Sequence, residues 1–132
     1  MKQKILLVDD RSAFHLIHTA VLSMTGEGCE IATASNAQEA LDLINRYLVG
    51  KESVPDMIFI HLNMAANDGL EFIRVFQSLR FPNKEKVTLV ILTAPLDSKN
   101  QIGVRQLGLR YYISGPLSLK DVHEILHDQY GK

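Results

Sequence analysis

Residues 5–10 read ILLVDD: four apolar residues, with β-branched Ile5 and Val8 at the ends, followed by the acid pair Asp9 and Asp10. An unbroken apolar run of this length suits a strand buried on both faces, as in a parallel sheet covered by helices. A sheet with one wet face would alternate apolar and polar residues instead. Three further runs repeat the pattern, Met57–Ile60, Val87–Leu92 and Tyr111–Ile113, and a weaker fifth lies around Cys29–Ala34.

The segments between these runs have helical spacing. Phe14, Ile17, Val21 and Met24 fall on one stripe, widened by Leu16 and Ala20. Ala37, Ala40, Leu41 and Ile44 make a second, opened by Ser35 with Gln38 three residues on, the pattern of a capping box. Leu70, Ile73 and Phe76 or Gln77 mark a third. A fourth, near Ser98 to Leu107, has a thin apolar face interrupted by Gly103. Leu119, Val122, Ile125 and Leu126 mark a fifth, starting at Ser118 with Asp121 in its first turn. Strand and helix alternating in this way predict an α/β fold: a doubly wound parallel sheet of five strands with five helices on its two faces. In such sheets the functional site lies at the carboxyl ends of the strands, where the winding direction switches.

At 132 residues the chain is sized for a single domain, 1–132, and no output domain is expected within it. Lys+Arg 14 against Asp+Glu 15 leaves a formal net charge of −1 with no basic block, which argues against a nucleic-acid reader. The single cysteine, Cys29, excludes an internal disulfide and a thiol zinc site, and fits a reducing cytoplasm. The start meets acid after four apolar residues, so no leader is expected, and no run approaches the ~20 apolar residues of a membrane span.

At the predicted strand ends stand Asp9 and Asp10, His61 with Asn63, Thr93 with Ala94, and Gly115 with Pro116. Two adjacent carboxylates are costly unless a cation or proton intervenes, which suits a magnesium-type ion. Asp10 also suits a helix N-cap, and local sequence leaves both readings open. A hydroxyl, an acidic pair and a glycine loop on one rim would suit a phosphoryl group with its metal. No Gly-rich phosphate loop is present. Asp56 after Pro55 belongs to a turn at the opposite end of the sheet. The pairs His15/His18 and His123/His127 lack a third ligand and read as surface histidines.

The runs ILLVDD (5–10), PDMIFIHLNMAANDGLEF (55–72) and YYISGPLSLKDV (111–122), with Thr93–Ala94 after an apolar strand, resemble the receiver domains of two-component response regulators, the CheY-like family. The resemblance covers nearly the whole chain. It implies a flavodoxin-like sheet of order 2-1-3-4-5. It implies further that Asp9, Asp10 and the main-chain carbonyl of Asn63 hold a divalent ion, that Thr93 is the switch hydroxyl, and that Tyr112 is the aromatic whose rotamer reports the switch. Two positions depart from the family pattern: His61 stands at the phosphoacceptor aspartate and Gly115 at the lysine before the proline. Pro95 after Ala94 stiffens the loop that follows the switch threonine.

Phosphoryl transfer to aspartate relies on metal and lysine to neutralise charge on the equatorial oxygens, and losing one such group costs about 10²–10³ in rate. Lys120 is the candidate substitute for the lysine missing at Gly115. His61 admits four readings. It is a nitrogen nucleophile forming phosphohistidine, a transition-metal ligand beside the acids, a neutral ring turned to water, or an imidazolium paired with Asp9 or Asp10. The last predicts a raised pKa and a stabilisation that is largest below about pH 6.5.

The expectation is therefore a stand-alone, degenerate receiver, or pseudo-receiver, with no catalytic residue. It signals by contact with a protein such as a histidine kinase or downstream regulator, without nucleic acid or membrane, and its metal set Asp9, Asp10 and Asn63 is vestigial. The resemblance places the contact on the face of the fourth helix, fifth strand and fifth helix, with Tyr111 or Tyr112, Lys120, His123 and His127. The rivals are a phosphorelay receiver using His61 or a displaced acid such as Asp68, and a small metal-dependent phosphatase. Oligomeric state is left open.

Overall fold

The computed structural model describes residues 4–11, 30–50, 52–62, 64, 68–93, 111–114 and 118–130, the side chains of Thr93, Tyr112, Ser114, His123 and residues 126–130 excepted. Five parallel strands form one sheet in the order β2-β1-β3-β4-β5: β1 Lys4–Val8, β2 Glu30–Ala34, β3 Met57–His61, β4 Thr88–Thr93 and β5 Tyr111–Ser114. This is the order that the resemblance implied. Three α-helices lie among the described residues: α1 Ala37–Val49, α2 Asp68–Ser78 and α3 Leu119–Tyr130. The predicted helices around residues 14–24 and 98–107 lie outside them, as do Cys29, His15 and His18.

Continuous apolar strands have two faces to bury, and the side-chain period of two sorts them. Leu6 and Val8 of β1, Ile58 and Ile60 of β3 and Ile91 of β4 join one core with Ala37, Ala40 and Ile44 of α1 and Phe72, Ile73 and Phe76 of α2. Ile5, Leu7, Met57, Phe59, Val90 and Leu92 face the other way, against Val122 and Ile125 of α3. Phe76, not Gln77, continues the α2 stripe inward, and its ring lies 5.9 Å from Phe72 and 6.0 Å from Phe81.

The helix starts show which caps the chain chose. Ser118 Oγ accepts from Asp121 N at 3.1 Å while Asp121 Oδ2 accepts from Ser118 N at 3.2 Å, a reciprocal box at the predicted start of α3. For α1 the cap sits one residue later than the predicted Ser35/Gln38 pair. Asn36 Oδ1 accepts from Glu39 N at 2.8 Å, and Glu39 Oε1 accepts from Ser35 N at 3.1 Å. Asn36 suits this because its extended backbone, φ −160°, aims a short carbonyl at the first turn, and Glu39 adds the carboxylate that Gln38 lacks. The carboxyl end of α2 has no basic residue of its own, and Lys84 supplies one: its Nζ donates to Gln77 O at 2.8 Å and to Leu79 O.

At the amino ends of the strands, Asp56 acts as a clasp. Its Oδ2 accepts from Lys4 N at 2.9 Å, its N donates to Lys4 O at 2.7 Å, and its O accepts from Thr88 N at 3.0 Å. The turn role expected of it is thus a tie joining the starts of β1, β3 and β4. Among the described residues no helix is long and apolar enough to cross a membrane.

Candidate functional site

The chain leaves β1 for the edge at β2 and returns to β3, so the winding reverses between β1 and β3. Asp9 directly follows β1, and His61 is the last residue of β3. Strand parity places both on the α3 side: Asp9 continues the series of Ile5 and Leu7, and His61 that of Met57 and Phe59. The expected corner is therefore assembled at the carboxyl ends of adjacent strands.

Asp9 extends the sheet by one bond, its N donating to Ala34 O at 3.0 Å. Its side chain is wholly buried, and a buried carboxylate needs charge-assisted partners. Arg11 provides them. Its main-chain N donates to Asp9 Oδ1 at 2.9 Å, Nε to the same oxygen at 3.0 Å, and Nη2 to Oδ2 at 2.9 Å. Burial pushes the Asp9 pKa up, but the Arg11 bonds and the positive potential outweigh it, and the carboxyl is held below its usual range.

His61 is 4% exposed, and its Nδ1 lies 3.2 Å from Arg11 Nη2. A guanidinium has no acceptor, so Nδ1 must accept and the ring proton sits on Nε2. His61 is consequently neutral. Burial is the main reason its pKa lies below the ordinary value. Asp9 gives the next largest effect, an upward pull; Arg11 then pushes down with burial, and Asp10 and a main-chain hydrogen bond with Leu92 add weaker upward pulls that do not reverse it. This overturns the expected imidazolium pair with a raised pKa. The cation on Asp9 is a guanidinium, which brings a permanent charge and a planar fork; an imidazolium there would need a proton held in a poorly solvated place. The alternative of a ring turned to water is also excluded, since His61 is buried.

Arg11 is the functional residue that sequence reasoning missed. Its signal was the cation two places after the buried acid, within reach of both oxygens of Asp9.

The remaining expected site residues divide in two. Asn63 and Gly115 lie outside the described residues, as do Ala94, Pro95 and Pro116. Thr93 and Tyr112 have described main chain, which pairs Thr93 with Ser114 and Tyr112 with Ile91, but their side chains lie outside the described part. Lys120 is exposed on the first turn of α3. Asp68, the displaced-acid candidate, is engaged elsewhere: its Oδ2 accepts from Ala37 N at 2.6 Å and ties the start of α2 to the start of α1. Gly69 beside it passes so close to the end of β3 that a Cβ would fall 2.6 Å from His61 O and 2.8 Å from Leu62 Cα.

One ligand atom each from Asp9, Asp10 and His61 lies within 4.8 Å of the others, the separation of a metal-binding group. The donors present do not fit magnesium as they stand. Both oxygens of Asp9 are bonded to Arg11, and His61 offers a nitrogen where a hard ion prefers oxygen.

Comparison with known proteins places this geometry in a family. The family model described as "Response regulator receiver domain" matches residues 5–127. A "Probable transcriptional regulator ycf27" of Guillardia theta is 31% identical over 121 residues, 92% of this chain and 42% of that protein. The "DNA-binding response regulator MtrA" of Mycolicibacterium paratuberculosis is 28% identical over 122 residues, covering 92% of this chain and 48% of that protein. The chain thus spans about half the length of the curated relatives it matches. A two-component response regulator from Cytophaga hutchinsonii superposes with a TM-score of 0.85 at 25% identity, covering 100% of both chains. Chemotaxis protein CheY4 of Vibrio cholerae, at 21% identity over 98% of this chain and 99% of that one, shares the fold with a TM-score of 0.76. The chain belongs to the response regulator receiver domain family of two-component signalling.

Proposed function

We propose that this chain is a pseudo-receiver, a receiver domain that signals by contact with a protein partner and takes no phosphoryl group on aspartate. The observation that carries the reading is the state of the residue closing β3. His61 is a buried, neutral imidazole whose Nδ1 lone pair faces the Arg11 guanidinium. A nucleophile needs its lone pair free to meet a phosphodonor, and this nitrogen has spent it. Asp68, the other acid considered, holds the start of α1. The reading assigns the domain no catalytic step.

The match over 5–127 supports a single receiver domain within these residues. The partner is a histidine kinase or a downstream regulator in the cytoplasm. The contact surface would be that of β5 and α3, where Lys120 is exposed and Tyr111 is half-buried. Partners of named relatives include DNA, but the net charge of −1 and the absence of a basic block favour a protein.

The test is incubation with acetyl phosphate and magnesium followed by intact mass, on the native chain and on His61→Ala. The mass of both is expected to stay unchanged. Phosphate gained by the native chain overturns the reading. If His61→Ala does not gain it, the acceptor is the imidazole; if it does, the acceptor is another acid.

A further inference from the structure

Asp9 is one of the residues that would hold the family's ion, and its two oxygens already accept three donors from Arg11, at 2.9, 3.0 and 2.9 Å. The same guanidinium reaches His61 Nδ1 at 3.2 Å. These two neighbours explain each other. Were residue 61 a carboxylate, the corner would hold three acids, Asp9, Asp10 and residue 61, and one guanidinium would leave a charge of −2. With a neutral imidazole in that place, Arg11 balances the buried acid, and the second N–H of Nη2 finds an acceptor in Nδ1. The cation is also tethered two residues from its partner, so it competes with free ions at a high effective concentration.

We propose that Arg11 is a built-in counter-cation that replaces the divalent ion, so that the corner excludes free divalent ions while the guanidinium occupies it and accepts them when it leaves. The inference deepens the reading of the same site. Its test uses no phosphodonor, so the two can fail separately. Removing the Arg11 side chain takes away two of the three donors on Asp9 and leaves the main-chain bond to Oδ1, beside Asp10 and a His61 nitrogen within 4.8 Å. Such a mixed oxygen and nitrogen set suits Mn²⁺ better than Mg²⁺.

The experiment is a Mn²⁺ titration read by paramagnetic broadening of the amide resonances of Asp9, Asp10 and His61, in the native chain and in Arg11→Ala. The variant is expected to show selective broadening at an ion concentration roughly tenfold or more below that needed by the native chain, the worth of one charge-assisted bond. The added substitution Asp9→Asn should abolish it. Equal midpoints for the native chain and Arg11→Ala overturn the proposal, and so does a variant that shows no selective broadening. If Arg11→Ala does not fold without metal, Arg11→Gln, which keeps a shorter polar side chain with an amide donor but no charge, is titrated against the same two outcomes.

Discussion

Nη2 of Arg11 donates to Nδ1 of His61 across 3.2 Å, joining residues fifty positions apart in the chain. Because arginine keeps its charge at any ordinary pH and can only donate, this contact specifies the protonation state of the ring. The end of β3 is locked as a neutral acceptor.

That lock gives stability a definite pH dependence. The His61 pKa in the folded chain lies below its unfolded value near 6.5, so the unfolded chain binds more protons in the window beneath that value. The contribution of His61 is fully present above about pH 6.5 and is lost as pH falls through the folded value. The slope reaches at most about 1.4 kcal/mol per pH unit for one proton. Asp9, also depressed, adds a second loss at lower pH, below its ordinary carboxylate value. Urea unfolding from pH 8 to pH 4 should show stability falling on acidification, and an NMR titration of His61 should give an apparent pKa below 6.5. Stability that rises between pH 7 and pH 5 would contradict the neutral-ring assignment.

Gly69→Ala should destabilise the fold by about 1–3 kcal/mol, the usual cost of overpacking. The added Cβ would meet His61 O, Leu62 Cα and Leu62 O at 2.6, 2.8 and 2.8 Å, all main-chain atoms that no rotamer change can move. Thermal unfolding measures it. A melting temperature equal to that of the native chain would mean that the α2 start can slide away from β3.

Asp56→Ala should cost about 1–2 kcal/mol, because the half-buried Lys4 N loses its 2.9 Å acceptor. Asp56→Asn keeps a carbonyl oxygen there and should lose less. Chemical denaturation of the pair separates the hydrogen bond from the charge. An equal loss in both variants would show that charge, not acceptor geometry, holds the clasp.

Asn36→Ala should cost about 1 kcal/mol through loss of the 2.8 Å cap to Glu39 N, and Ser35→Ala should change stability little. Both are measured by equilibrium unfolding. The reverse ranking would return the cap to Ser35.

The amino-acid sequence alone determined the strands, their burial on both faces and the edge on which the site would lie. Runs such as ILLVDD and MIFIH carry that information locally, because an apolar residue must be covered whichever partner covers it. Asp9 and His61 were legible for the same reason: each stands at the end of such a run, and a period of two fixes its face. Tertiary structure alone decided which groups those side chains meet. Arg11 has a long side chain with many rotamers, and only the buried Asp9 carboxylate beside the His61 ring selects the one it adopts. The Asp68 bond to Ala37 N spans 31 positions, and the demand for glycine at 69 arises where α2 passes the end of β3. Burial is a property of a segment, whereas a polar partner is chosen by geometry among residues that only the folded chain brings together.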